Sequence, residues 1–223
     1  MRFLISLFAI LILTSCAPQE IPVDVETQKV AVYVDPFSES WLSDIYACTE
    51  RSSEVLVSRT TEIDSANIIL QLNPSVSGEA VAYQVGDVEF RLAVNSTNPI
   101  AEIDISTIQA IYSGKRNNWA EFGGEDAPVA LWAYNPEFGV EDILLEGGRL
   151  SSLAKQTQNP AAMRDIISGN PYAIGFLPAD MATDADPIRF VESVEAISLP
   201  VLVLLPEEDA LLRSITACLQ KIN

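Results

Sequence analysis

The chain has 223 residues, of which 31 are acidic, 13 are basic and none is histidine, so its formal net charge is −18 at pH 7. A surface of this charge does not attract nucleic acid or an anionic membrane, and any anion would need local donors in order to bind. The absence of histidine excludes Ser-His-Asp and Cys-His catalysis and removes the commonest transition-metal ligand.

The N-terminus has the features of a bacterial lipoprotein signal. A short basic start precedes an apolar stretch over residues 3–13, which is too short for an ordinary membrane span. Residues 13–16 (Leu-Thr-Ser-Cys) then match a lipobox, so we expect residues 1–15 to be removed and Cys16 to be acylated. The alternative is an ordinary secretory signal with an incidental cysteine. Residues 16–28 are rich in acids, lack periodicity and are predicted to be a tether.

Strand patterns and a helix pattern alternate in the next part of the chain. Short β-branched apolar runs predict strands at residues 29–35, 55–58, 66–72, 80–85 and 88–95. The last two strands are predicted to be joined by a tight turn at Gly86-Asp87. After the first strand, apolar positions over residues 41–48 predict one face of a helix, for which Ser38 or Ser40 is a suitable N-cap.

Residues 105–124 (ISTIQAIYSGKRNNWAEFGG) form a complete local unit. Ser106 is suited to begin a capping box, and Gly114 is suited to a left-handed helix end. After a basic, polar turn, Trp119 and Phe122 are predicted to return to a core. A helix followed by Tyr-Ser-Gly-Lys, a polar spacer, Asn-Trp and Gly-Gly resembles the signature of the phosphate-type substrate-binding proteins of ABC importers.

This resemblance implies an α/β chain with the two-lobed type II periplasmic-binding-protein fold, in which each lobe has a mixed sheet flanked by helices. Residues 29–95 and 193–223 would form the first lobe, and residues 96–192 the second. A small molecule or oxyanion would bind in the cleft, and lobe closure would present both lobes to an ABC permease. We expect a monomer without metal or cofactor, held on the extracytoplasmic face of the cell membrane by its lipid alone and making no contact with nucleic acid.

In the first lobe, the resemblance assigns ligand contacts to two loops. Ser38 and Ser40 occupy the loop after the first strand, where relatives present hydroxyl and backbone N–H groups to the ligand. Helix capping explains these two serines equally well. Ser75 lies in the loop after the third strand, where relatives often carry an aspartate that binds protonated phosphate. The neutral side chains here suit a polar ligand but do not select phosphate.

The second lobe departs from the family pattern where an arginine and a Ser-Gly-Thr motif usually bind the ligand. Tyr134 takes the place of the arginine, and Phe138, Gly139 and Val140 take the place of Ser-Gly-Thr. A cation and two hydroxyl donors are lost, Glu141 is added, and only the backbone N–H groups of the glycine and valine remain as donors. Because charge-assisted bonds to anions are strong, this loss should weaken phosphate binding severely. The two aromatic residues suit an apolar ligand face, or they simply close the cleft or pack into the lobe.

The same alternation of strands and helices continues to the C-terminus. Strands are predicted at residues 129–134, 171–176, 188–191 and 199–206. Asn159 and Pro160 are suited to begin a helix and Gly169 to end it, and a last helix is predicted over residues 207–222.

Two cysteines remain in the mature chain, and both fall in predicted helices. The type II fold brings the C-terminal segment back to the first lobe, so Cys48 and Cys218 are candidates for a disulfide in an oxidising compartment. The alternative is a pair of buried free thiols.

These features predict a lipid-anchored solute-binding protein of an ABC importer, related to phosphate-binding proteins but with an altered anion site. The alternative is a non-transporting sensor or interaction module whose cleft is filled by its own aromatic side chains. The position of Tyr134 and Phe138 discriminates between the two, since an open cleft lined by free N–H groups favours transport. No nucleophile or acid-base constellation stands out, so no enzyme is predicted.

Overall fold

The computed structural model describes residues 27–50, 54–74, 80–98, 100 and 103–222. The predicted signal, the predicted acylation site Cys16 and Ser75 lie outside these ranges, and Gln28, assigned above to the tether, is the first residue of a strand. Within the described ranges, every helix is too short or too polar to cross a membrane.

Nine strands and five α-helices alternate along the described chain. The strands are β1 (Gln28–Val34), β2 (Val55–Arg59), β3 (Ile68–Leu72), β4 (Val81–Asn95), β5 (Ala130–Tyr134), β6 (Lys155–Thr157), β7 (Ala173–Pro178), β8 (Ile188–Phe190) and β9 (Ile197–Leu205). The α-helices are α1 (Trp41–Thr49), α2 (Ile105–Tyr112), α3 (Val140–Leu145), α4 (Pro160–Gly169) and α5 (Ala210–Ile222). Short 3-10 helices cover Ile63–Ser65, Trp119–Phe122, Pro136–Phe138 and Ala179–Met181.

The strands form a mixed sheet in the order β2-β1-β3-β9-β4-β7-β5-β6, with β8 paired to β4. We call β1, β2 and β3 the first half of the sheet and β5, β6 and β7 the second half. The antiparallel strands β4 and β9 join them, because β4 pairs with β9 over Val81–Phe90 and with β7 over Phe90–Val94. Phe90 therefore lies where the two halves meet. The lobe boundaries given above remain predictions.

The predicted tight turn at Gly86-Asp87 is wrong, because residues 81–95 form a single strand. The strand has only an irregularity of register between Gln84 and Gly86. A Cβ atom on Gly86 would lie 3.0 Å from Cζ2 of Trp41. The glycine therefore allows the first residue of α1 to pack directly against the strand, and a sequence pattern alone does not distinguish this close approach from a turn.

The unit at residues 105–124 folds largely as predicted, with one change at its N-cap. Asp104 caps α2 by accepting a hydrogen bond from the Thr107 N–H at 2.7 Å, and Ser106 donates its hydroxyl proton to the same carboxylate at 2.6 Å. The aspartate prevails over the serine because its charged carboxylate is the stronger acceptor. Gly114 has the left-handed conformation, with φ +76°, and Trp119 is buried, as predicted.

Helices α1 and α5 pack against each other, α1 also contacts β2 and α5 also contacts β4, and the two helices are covalently joined. The sulfur atoms of Cys48 and Cys218 are 2.14 Å apart, and the two Cα atoms are 5.9 Å apart. The bond links residues 170 positions apart in the chain. It therefore ties the C-terminal helix to the start of the fold, and cross-links over long loops typically stabilise a domain by about 2–5 kcal/mol.

Candidate functional site

Four aromatic side chains meet between the two halves of the sheet, and we call Phe37, Phe90, Tyr134 and Phe138 the aromatic cluster. Phe37 belongs to the loop after β1, and its ring centroid lies 4.8 Å from that of Tyr134 and 4.6 Å from that of Phe138. Phe90 of β4 completes the cluster, with ring centroids 5.6 Å from Phe37 and 5.9 Å from Tyr134. The loops after β1 and after β5 are therefore in direct contact.

The geometry of the cluster is that of a packed core. Tyr134 and Phe90 are fully buried, Phe37 is 6% exposed and Phe138 is half-buried. Three of the four ring pairs meet edge to face, which adds roughly 0.5–1.5 kcal/mol per pair beyond the burial of area. The Tyr134 hydroxyl is buried and finds no hydrogen-bond partner among the described residues. Burial raises the pKa of this phenol well above its usual range.

A second close approach joins the halves beside the cluster. Gly139 has φ +69°, and a Cβ atom there would lie 2.9 Å from Nδ2 of Asn73, which follows β3. Only glycine leaves room for the asparagine amide at this distance. The retained glycine of the family motif therefore serves here as a contact between the two halves.

The predicted ligand-binding serines have different surroundings. Ser38 is completely buried, and its N–H donates to the Asp35 carboxylate at 2.9 Å. Ser40 is exposed at the N-cap position of α1, but its side chain makes no capping hydrogen bond. The structure thus brings Ser38 close to the aromatic cluster through its neighbour Phe37, whereas the exposed Ser40 lines the groove beside that cluster.

The predicted donors of the second half are also engaged or buried. The Gly139 N–H donates to the Pro136 carbonyl at 3.1 Å, so it is not free to bind a ligand in this conformation. Val140 is completely buried as the first residue of α3. The open cleft lined by free N–H groups that transport would favour is therefore not seen at this position. Ligand binding by these residues remains a prediction.

Asp35 is a functional candidate that sequence reasoning missed. Its carboxylate is 3% exposed and accepts hydrogen bonds from the N–H groups of Phe37 (3.0 Å), Ser38 (2.9 Å) and Leu72 (2.7 Å). Burial raises the pKa of Asp35, and these hydrogen bonds oppose the rise. An aspartate that follows a buried strand and precedes Pro36 often bonds the backbone two residues on, and this signal would have found it.

Glu141 is the corresponding buried carboxylate in the second half. It is 4% exposed in the first turn of α3, and its Oε1 accepts the Tyr134 N–H at 2.9 Å. Burial raises the pKa of Glu141 to about 7, although hydrogen bonds from backbone N–H groups act in the opposite direction. This carboxylate therefore changes its charge near neutral pH.

A groove of about 640 Å³ runs beside the aromatic cluster and is bordered by both halves of the sheet. Its apolar surface includes Trp41 and Met181. Four carboxylates line it, those of Glu39, Asp87, Glu89 and Asp180, and its described lining contains no lysine or arginine. Glu39 forms an ion pair with Arg59. Within the described ranges, no group of three or more acidic or cysteine side chains is placed to hold a metal ion.

Solved structures define the class of fold. A protein from Clostridium perfringens, described as a phosphate ABC transporter substrate-binding protein and solved with bound phosphate, superposes with a TM-score of 0.72 at 19% identity, over 86% of this chain and 92% of that one. The reduced OxyR regulatory domain of Pseudomonas aeruginosa superposes with a TM-score of 0.60 at 11% identity, over 88% of this chain and 98% of that one. The predicted two-lobed type II periplasmic-binding-protein fold is confirmed.

Residues 58–212 match the family model described as a PBP superfamily domain, and the chain belongs to this family. The phosphate-binding protein PstS of Bacillus subtilis (strain 168) is 26% identical over 129 residues, which are 55% of this chain and 42% of that protein. The chain thus matches less than half the length of this relative. The predicted relationship to phosphate-type substrate-binding proteins of ABC importers is confirmed.

Proposed function

We propose that this chain is a lipid-anchored, extracytoplasmic sensor or interaction module with an altered anion site, and that it does not carry phosphate. The observation that carries the proposal is the contact of Phe37 with Tyr134 and Phe138, at centroid distances of 4.8 and 4.6 Å. A carrier needs room for its solute between the loops after β1 and β5. Here aromatic rings fill that position, and ligand entry would require them to separate.

The electrostatics support the same conclusion. The loop N–H groups that would attract an oxyanion already donate to Asp35, and the first turn of α3 holds Glu141. The neighbouring groove adds further carboxylates, and the chain as a whole carries a net charge of −18. An oxyanion would therefore enter a region of negative potential without a cation to receive it.

The fold itself is compatible with a role outside transport. The OxyR domain that superposes on this chain is a regulatory domain by its description, and at 11% identity the likeness concerns the fold alone. Because one fold serves several functions, the site has to decide between them. In this chain, the filled site favours recognition of a partner over release of a solute.

Phosphate calorimetry tests the proposal directly. The chain from residue 17 onward lacks only the predicted signal and the acylated cysteine, and we expect it to show no binding heat with phosphate or sulfate at millimolar concentrations. The PstS protein of Bacillus subtilis, named a phosphate-binding protein, is the positive control. Phosphate binding by this chain in the micromolar range would overturn the proposal.

The lipid anchor rests on residues 13–16 and has its own test. Metabolic labelling with a fatty acid should label the wild-type chain and move it to the membrane fraction. The C16S variant should remain unlabelled. An unlabelled wild-type chain would show that the signal is of the ordinary secretory type, and equal labelling of the two proteins would place the lipid away from Cys16.

The groove favours a second candidate function, delivery of a cationic or polar solute to an ABC permease. It is bordered by both halves of the sheet and is lined by carboxylates and Trp41. A thermal-shift screen with small amines should find a stabilising compound if this is the function. The response should be lost in E89Q, while the matched variant E195Q, which changes a carboxylate outside the groove, should retain it. Both candidates are binding roles that call for no cofactor.

A further inference from the structure

We propose that Asp35 is a built-in anion, whose carboxylate occupies a backbone anion site formed by the loop after β1 and the end of β3. By filling this site, Asp35 excludes free oxyanions from it and thereby sets the specificity of the first half. The inference deepens the proposed function. It rests on that proposal at one point, namely that the loop after β1 forms an edge of the cleft.

The geometry is that of an anion held by converging donors. Asp35 Oδ1 accepts the N–H groups of Phe37 and Ser38, at 3.0 and 2.9 Å, from its own loop. Oδ2 accepts the Leu72 N–H at 2.7 Å, although that residue is 37 positions away in the chain. Two segments that are distant in sequence therefore direct their donors at a single carboxylate, as they would at a bound anion.

A hydroxyl group lies at the same place. The Ser38 Oγ is completely buried and makes no hydrogen bond of normal geometry in the described part of the chain. It nevertheless lies close enough to Asp35 to help hold the pKa of that carboxyl down against the effect of burial. The site thus offers three N–H donors and a spare hydroxyl to one negative charge.

The consequence for external ligands follows from charge and space. Hydrogen bonds from several N–H groups to a carboxylate are charge-assisted, and the same donors have no capacity left for a second anion. A free oxyanion would also have to approach a carboxylate that is only 3% exposed. Removing the carboxylate should therefore leave a vacant anion site of about the size of formate.

Chemical rescue of D35A tests this inference. We expect D35A to unfold at a lower temperature than the wild type, and sodium formate to raise its Tm by about 2–8 °C. Sodium pivalate at the same ionic strength carries the same charge but is too large for the site, so it should leave the Tm of D35A unchanged. The wild type should respond to neither salt.

Two matched variants control the result. D35N fills the same volume with a neutral amide, so it should be destabilised without any response to formate. D104A removes an exposed capping carboxylate, where water fills the space, so it should also show no response. If D35A does not fold alone, the yield of folded protein after refolding in formate and in pivalate replaces Tm as the readout, with a higher yield expected in formate.

The outcomes separate this inference from the proposed function. Three results would overturn the role of Asp35 and leave the proposed function standing. They are equal effects of formate and pivalate on D35A, no effect of either salt, and rescue of D104A as well. Phosphate binding by the wild type without a loss in D35N would overturn the proposed function and not the anion site. Rescue by formate in D35A alone is the result that we expect.

Discussion

Asp35 and Glu141 occupy similar positions in the two halves of the sheet, yet their hydrogen bonds differ. Both carboxylates lie beyond a buried strand, before or within the start of a helix, and they are 3% and 4% exposed. Asp35 accepts N–H groups from Phe37, Ser38 and Leu72, whereas Glu141 accepts one from Tyr134. Burial raises the pKa of both, and for Glu141 the value reaches about 7.

The difference teaches that burial alone does not decide what a carboxylate does. Several converging N–H donors stabilise the ionised form of Asp35 and make it a fixed part of the fold. With fewer donors, Glu141 is poised to gain or lose a proton near neutral pH. One half therefore carries a carboxylate held by three N–H donors and the other a carboxylate with a pKa of about 7, and the aromatic cluster lies between them.

Isosteric neutralisation should have its largest effect at Asp35. In D35N one oxygen becomes an NH₂ group, so at least one of the three N–H groups loses its acceptor and faces a donor. We expect a loss of about 2–4 kcal/mol in the free energy of unfolding, measured with urea at pH 8. A D35N variant as stable as the wild type under these conditions would contradict the comparison.

The pH dependence of stability should identify Glu141. Its folded pKa of about 7 lies above the unfolded value of 4.5, so the folded state holds the proton more tightly. Stability from this group is therefore full below pH 4.5 and falls as the pH rises through 7, by up to about 3 kcal/mol in total. Urea unfolding from pH 4.5 to 8.5 measures the fall.

The E141Q variant is the control for this profile. Its amide oxygen retains an acceptor for the Tyr134 N–H, and it carries no charge to desolvate. We expect the decline to disappear and E141Q to be more stable than the wild type at pH 8. An unchanged decline in E141Q would assign the pH dependence to other groups.

Opening the aromatic cluster should lower the pKa of Glu141 and so reduce its difference from Asp35. F138A removes the half-buried ring that packs on Phe37, at a cost of about 1–2 kcal/mol, less than for a fully buried phenylalanine. Water would then reach the start of α3 and reduce the desolvation of Glu141. The pH-dependent fall in stability should therefore become smaller in F138A, whereas F122A, whose ring packs on Trp119 instead, should leave it unchanged.

The smallest loss of stability is expected at an exposed carboxylate that accepts a similar hydrogen bond. Asp104 accepts the Thr107 N–H at 2.7 Å, and its hydrogen bonds, led by that from Ser106, lower its pKa. D104A should cost less stability than D35N, as expected for the loss of one exposed helix cap, when both are measured by thermal or urea unfolding. A loss as large as that of D35N would mean that capping alone explains both residues.

Much of the fold could be predicted, because its elements have local signatures. The apolar runs at β1, β3 and β9 and the helix cap at Gly114 were recognised close to their true bounds. The unpredicted strand β6 (Lys155–Thr157) is only three residues long and has no apolar run to mark it. The misassigned turn at Gly86 shows the limit, since a glycine marks a turn and a close packing contact alike.

For the candidate site, the sequence predicted which ligand-binding groups are missing but not which residues contact one another. Tyr134 and Phe138 indicated that an oxyanion would lack its usual partners, and this followed from residue types alone. The local signal at Asp35 was overlooked, and its remote partner Leu72 leaves no pattern in the sequence. Glu141 was noted as an added acid, but its raised pKa depends on burial that periodicity does not report.

By itself, the sequence determined most of the strands and helices along the chain, the family, and the loss of the cation and hydroxyl donors after β5. These properties depend on residue type and on spacing within one element. Only the tertiary structure decided that Phe37 meets Tyr134 and Phe138, and that the loop after β1 and the end of β3 meet at Asp35. The aromatic contact depends on how β4 and β9 align the two halves of the sheet, and the contact at Asp35 depends on the pairing of β1 with β3. Both pairings join segments that are distant in the chain.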